Sequence, residues 1–304
     1  MLYDKISARA IDTDANSSGL QSVDVRHISQ YHLRCEESKG VWINAAINKI
    51  VHYQYSFYKQ TPIRRPHKNC SKMPLRYATW TDLLPASHAA SAAFFDEALF
   101  GPIIHPHRRT YPGDVYLFFL RYFRQTFFSA TDTILVSYPS ASPSTVTAVG
   151  IWTRKGAGGV KLERQQGWTV WLTGKLFQGV NKIHELLYPN RAADPAKIDI
   201  LERSYAWIKH HWTGERADSW YLNLLATDPN FEKMGYGRLL VSWGTQRAKE
   251  EGVCASLISA EGREEFYRKC GFEGPVGWAS EGEDNPIAHV SGGAIMFTEA
   301  FKQG

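Results

Sequence analysis

At 304 residues, with 43% hydrophobic and 21% charged residues, the chain has an ordinary globular composition and length enough for a sizeable core. No run approaches the roughly 20 apolar residues of a membrane helix. Val115 to Phe123 comes nearest and Arg121 breaks it, while Met1 to Lys5 leads into no apolar signal segment, so a cytoplasmic protein without a membrane partner is expected. The formal charge of +5 is localised: residues 1–72 hold 11 Lys and Arg against 6 Asp and Glu, and the remainder holds 24 against 24. A neutral main domain argues against a nucleic-acid surface. Cys35, Cys70, Cys254 and Cys270 form neither a disulfide framework nor a metal-binding spacing, so no metal is expected.

Residues 1–72 show weak periodicity and a basic, proline-containing stretch from Thr61 to Lys68. Two readings stand: a poorly ordered basic extension, or a segment upstream of a natural start at Met73. A different texture follows. Leu75 to Ala78 reads as a first strand, and Thr79 or Thr81 as the cap of a helix running through Ala92. Gly113 to Phe128 reads as a strongly apolar helix. Thr133 to Ser137 and Thr145 to Trp152 are β-branched runs around a Ser/Pro-rich turn, as in a hairpin. The run Gly156 to Gly159 reads as a break, and residues 155–215 as an inserted group of helices with Pro195 at a first turn before Ile198 to His210. Strands are expected at Trp220 to Thr227, Val253 to Ser259 and Ala294 to Phe297. Helices are expected at Gly237 to Glu251, stopping at Gly252, and at Arg263 to Cys270.

The stretch Thr227 to Leu240 lies between a strand and an amphipathic helix. Pro229 ends the strand, and Gly235 and Gly237 remove side chains so that backbone N–H groups can approach an anion. The helix mouth adds unpaired donors and the positive end of its dipole, which favours a phosphate or pyrophosphate. Lys233 and Arg238 add positive charge at the rim. The full dinucleotide fingerprint and the P-loop Gly-Lys-Ser/Thr are both missing. About thirty residues on, a strand runs into a short helix that carries Tyr267 four residues before Gly271-Phe272.

This pair of elements resembles the GNAT acetyltransferase family, with Pro229 to Gly237 standing as its motif A and Tyr267 to Phe272 as the end of its motif B. The likeness covers about residues 73–154 and 218–300 and is nearest in pattern to fungal small-molecule members. It implies an α/β (α+β) GNAT fold over residues 73–304, a mixed, mostly antiparallel twisted sheet flanked by helices with the helical insertion. It also implies acetyl-CoA as co-substrate, with a small-molecule amine acceptor attacking the thioester directly in a ternary complex. The backbone of Lys233, Gly235, Tyr236, Gly237 and Arg238 would hold the pyrophosphate, and that of Leu225 and Thr227 the pantetheine. Tyr267 would be the general acid that protonates the departing thiolate. One departure is Glu232, where the family usually has Gln or Arg.

No strong general base stands out. The position where several members carry Glu is Tyr221, with Asn223 two residues on, which leaves Glu261, His210, His211 or solvent. Trp168, Trp171, Trp207, Trp212 and Trp220 crowd in or beside the insertion and are expected to wall the acceptor pocket. Two alternatives are a protein or peptide acetyltransferase and a degenerate acyl-CoA-binding member.

Overall fold

A computed structural model of the chain describes residues 74–299. The extension read over residues 1–72, and the start at Met73, lie outside them. Seven strands form one sheet in the order β1-β2-β3-β4-β5-β7-β6, from β1 (Leu75–Tyr77), β2 (Asp132–Ser137), β3 (Ala148–Arg154), β4 (Ser219–Thr227), β5 (Cys254–Ser259), β6 (Gly277–Trp278) and β7 (Ala294–Phe297). Every neighbouring pair is antiparallel except β4 and β5. That parallel pair needs a crossover, and helix α6 (Tyr236–Glu251) supplies it.

Before the sheet's centre, α1 (Leu83–Ala93) and α2 (Tyr116–Phe127) follow β1, and α3 (Gly156–Gln165), α4 (Trp168–Leu187) and α5 (Ile200–Ile208) lie between β3 and β4. Thr79 opens the turn into α1 through a capping box with Asp82, whose carboxylate also takes Arg76 at 2.8 Å. Burial pushes the Asp82 carboxyl up, and the hydrogen bonds from Arg76 and Thr79 more than reverse it. Helix α4 buries no side chain fully, and Trp168, Leu176 and Leu186 stand exposed on it. Among the described residues no helix is long and apolar enough to cross a membrane.

Two differences from the sequence reading have physical causes. The run Gly156 to Gly159 opens α3 instead of breaking the chain. Cβ atoms at Gly158 and Gly159 would lie 2.3 Å and 2.2 Å from Arg154 atoms, so the glycines make room for a buried arginine. The Arg154 side chain, 5% exposed, donates to Glu251 at 2.8 Å and to Asp218 at 2.5 Å. The short strand β6, two residues long, carries no periodicity that a sequence could show.

Helix α6 lies directly on the sheet, with Leu240, Val241 and Ala248 fully buried. It ends at Gly252 in the left-handed region (φ 68°), where Val253 N–H reaches back to Ala248 O at 2.9 Å. The Trp152 indole donates to Leu240 O at 3.1 Å, and a Cβ on Gly244 would lie 2.0 Å from that ring. Gly244→Ala should therefore lower stability by about 1–3 kcal/mol through overpacking, despite alanine's better helix propensity. Denaturant unfolding checks this, and an unchanged midpoint would contradict the packing.

Candidate active site

Strands β4 and β5 pair from Ser219/Cys254 to Leu222/Leu257 and then separate. The β3–β4 register shifts at the same level, between Ile151 opposite Leu224 and Trp152 opposite Leu222, so Asn223 is the bulged residue. A bulge twists and bends a strand, and here the bend turns the C-terminal half of β4 away from β5. Asp228 N–H donates to Thr147 O at 2.9 Å, at the end of the β3–β4 ladder. Alternation along the strand then points the N–H and C=O of Leu225 and Thr227 the other way, into the opening.

The segment after β4 shapes the mouth of α6. Asp228 caps a short 3-10 turn through Asn230 N–H at 2.8 Å. Lys233 (φ 60°) and Gly235 (φ 95°) both adopt left-handed backbone. Such turns gather successive N–H groups into an anion-binding concavity. The first intrahelical donor to find a carbonyl is Leu239, on Gly235 O at 3.1 Å. The N–H groups of Gly235, Tyr236, Gly237 and Arg238 are thus left to an outside acceptor. The Tyr236 side chain is buried against Phe231, so that residue contributes its amide. A Cβ at Gly237 would sit 3.2 Å from Thr227 Oγ1, so the glycine lets the helix mouth approach the end of β4.

All eight residues singled out in the sequence, Leu225, Thr227, Lys233, Gly235, Tyr236, Gly237, Arg238 and Tyr267, line one cleft of about 1490 Å³. That exceeds the roughly 300–1,000 Å³ of a usual small-molecule cleft. Its far end is built by Phe100 after α1, by Leu201, Tyr205 and Ile208 of α5, and by Lys155 at the end of β3.

The family model described as an acetyltransferase (GNAT) domain matches residues 200–274, which span the cleft-forming strands and α6. No curated protein matches the chain. A histone acetyltransferase HPA2 and related acetyltransferase from Corynebacterium glutamicum is similar at 16% identity over 75% of this chain and 97% of that one (TM-score 0.47). The PaiA N-acetyltransferase from Thermoplasma acidophilum, in complex with coenzyme A, aligns at 11% identity over 75% and 98% (TM-score 0.40). A GNAT family acetyltransferase from Brucella melitensis, in complex with acetyl-CoA, aligns at 14% identity over 66% and 82% (TM-score 0.33). The mixed, mostly antiparallel seven-stranded sheet flanked by helices is the architecture expected from the motifs.

Within the cleft, Tyr267 is 9% exposed on α7 (Glu264–Arg268) and packs against Phe266 and Phe272. Burial holds its phenol well above the ordinary range, so it carries its proton at neutral pH. The base candidates sit in unequal places. Burial likewise raises the Tyr221 phenol, which leaves it protonated, and the Asn223 amide cannot take a proton. Glu261 lines the cleft but is exposed and accepts from Ser291 Oγ at 2.6 Å. His210 and His211 lie outside the residues lining the cleft and turn to Glu281, with His211 Nε2 at 2.9 Å. Cys270 has its thiol pushed up by burial and is a poor nucleophile.

The tryptophan wall is corrected as well. None of Trp168, Trp171, Trp207, Trp212 and Trp220 lines the cleft, where Tyr205 and Phe100 take that place. Trp220 instead packs edge-on against Trp243, with ring centroids 5.6 Å apart. One residue went unnoticed in the sequence: Lys155 reaches the cleft from the end of β3. A single lysine between Arg154 and a glycine run carries no motif that could have marked it.

Glu232, the departure from the motif, sits at the rim with Oε1 3.5 Å from an Arg263 guanidinium nitrogen, both side chains exposed. An exposed pair of this kind contributes only about 0–1 kcal/mol. Glu232→Gln should therefore tighten a diphosphate ligand, with free CoA as the probe, by about two- to fivefold. Calorimetry at low and high salt checks this: the gain should shrink with screening, and weaker binding would contradict it.

Proposed function

We propose that the protein is an acetyl-CoA-dependent N-acetyltransferase that transfers the acetyl group to a primary amine of a small molecule by direct attack in a ternary complex. The observation that carries this reading is the amide cradle at the mouth of α6 opening into the same cleft as the unpaired edge of β4. Acetyl-CoA is a substrate consumed in the reaction, and its thioester supplies an activated acyl carbon. The amides of Lys233, Gly235, Tyr236, Gly237 and Arg238 hold the pyrophosphate, where the helix dipole favours negative charge. The exposed backbone of Leu225 and Thr227 pairs with the pantetheine amides as an added strand would. Tyr267, kept protonated by burial, gives its proton to the leaving thiolate, whose ordinary pKa near 8.5 makes modest help sufficient.

The acceptor side favours a small molecule. Residues 155–215 serve as an insertion on the domain of residues 73–304, and their Leu201, Tyr205 and Ile208 give the cleft an apolar, aromatic far end. The even charge of residues 73–304 offers little attraction for basic protein tails.

The test measures CoA binding by calorimetry and free-thiol release with 2-phenylethylamine, spermidine and a lysine-containing peptide as acceptors. Amine-dependent release that is faster with the small amines supports the proposal. Faster release with the peptide would overturn the acceptor class, and CoA binding with no release would leave an acyl-CoA-binding protein. Gly235→Val, forced into left-handed backbone and crowding the cradle, should weaken CoA binding at least about tenfold. Tyr267→Phe should lower kcat by about 10²-fold with the CoA Kd unchanged. Equal loss of both quantities would contradict its acid role.

A further inference from the structure

Direct attack on a thioester requires an unprotonated amine, and an ordinary alkylamine with a pKa near 10 arrives as an ammonium ion. The groups at the family's usual base position cannot remove that proton here. Building on the transferase reading above, we propose that Lys155 is the general base that deprotonates the acceptor amine.

The geometry is specific. Lys155 is pinned at both ends of its peptide: its N–H donates to Ser219 O at 2.9 Å, and its C=O accepts from Arg154 Nη1 at 2.6 Å. Its side chain enters the cleft through an aromatic box. The ammonium nitrogen lies 4.2 Å from the Tyr221 ring centroid, 4.8 Å from Trp212 and 4.9 Å from Tyr205. The rings brace one another, Trp212 standing edge-on to Tyr221 at 5.7 Å with its indole N–H on Ser256 Oγ at 3.1 Å.

The charged groups around the box do not hold the proton on. Arg154, the neighbour in sequence, is occupied by Asp218 and Glu251. Glu202 on α5 lines the same cleft, and Tyr221 on β4 is a neutral phenol. Burial outweighs the attraction of the three ring faces for the charged form and lowers the amine's pKa to about 8. A lysine tuned in this way is close to the optimum for a base at neutral pH. Its neutral fraction grows as pH rises through about 8, so the acceptor-dependent rate should rise over the same interval.

The protons and bonds balance. One ammonium proton passes from the acceptor to Lys155 Nζ and on to solvent. The freed nitrogen forms the C–N bond as the thioester C–S bond breaks. The sulfur takes the Tyr267 proton, and the second amine proton restores that phenol.

Two readouts test the role. In competitive labelling with trace acetic anhydride from about pH 6 to 11, the Lys155 peptide should titrate near 8 while exposed lysines follow the ordinary value of about 10.4. Titration of Lys155 at the ordinary value would overturn the inference even if transfer is observed. Lys155→Arg keeps the charge but cannot shed a proton, and Lys155→Met keeps the bulk. With 2-phenylethylamine as acceptor, both should lose at least about tenfold in kcat. Both should also lose the rise near pH 8, with the CoA Kd unchanged. A wild-type rate in Lys155→Arg, or a raised acceptor KM with the pH rise intact, would show an anchoring cation and overturn the base role. A depressed titration without release from any amine in the wild-type chain would instead overturn the transferase reading and, with it, the role assigned here.

Discussion

The architecture of the cleft depends on one failure of strand pairing. A strand inside a sheet normally spends its N–H and C=O groups on both neighbours, and a buried backbone group without a partner costs about as much as a lost hydrogen bond. Past Leu222 and Leu257, β4 has a neighbour on one side alone, because the bulge at Asn223 bends it away from β5. The open edge leaves backbone groups that a ligand with amide groups can pair with, as an added strand would. The same parting leaves room for the loop from Asp228 to Gly235 to fold over the end of the sheet and aim the mouth of α6 into the gap. Cradle and open edge are consequences of a single bend.

Holding that bend requires rigid material behind it. On the far side of β4 the sheet is packed by Trp152, Leu240 and Leu257, all fully buried, with the Trp152 indole tied to the helix backbone. Gly244 allows α6 to rest on the ring itself. At the opposite end of β3, Arg154 ties the last strand residue to Asp218 before β4 and to Glu251 at the end of α6. A buried charge is tolerated only when it is paired and hydrogen-bonded, and here two carboxylates and the Lys155 carbonyl accept from it. The cluster fixes the positions of three elements that border the cleft.

Much of this was legible in residues whose effect is local. Pro229, Gly235 and Gly237 dictate backbone geometry within a few residues, so the cradle could be read directly, as could the stop at Gly252. Strand β5 and the end of β4 followed from apolar runs bounded by turn residues. What escaped reading depended on distant partners. The glycines from Gly156 to Gly159 signal flexibility in isolation, and it takes the folded Arg154 to show that they are clearance. The tryptophans were read as a ligand wall from their crowding in sequence, yet Trp220 turned inward to Trp243 and Trp168 outward on α4. Which face of an element a ring occupies is settled by packing that no local window contains.

The two ends of the cleft need opposite surroundings, and the fold provides both. A diphosphate is best met by fixed dipoles that cost no reorganisation, such as the amides of Gly235 to Arg238. An amine whose pKa is lowered needs the reverse: partial removal from water with little negative charge and few competing hydrogen bonds. Tyr205, Trp212 and Tyr221 surround the Lys155 amine with ring faces, and the carboxylates of Asp218 and Glu251 are engaged by Arg154. Full charge on Lys155 would gain some attraction from the ring faces, which opposes the loss of hydration. The balance between these two effects, more than any single contact, places the proton of Lys155 within reach of neutral pH.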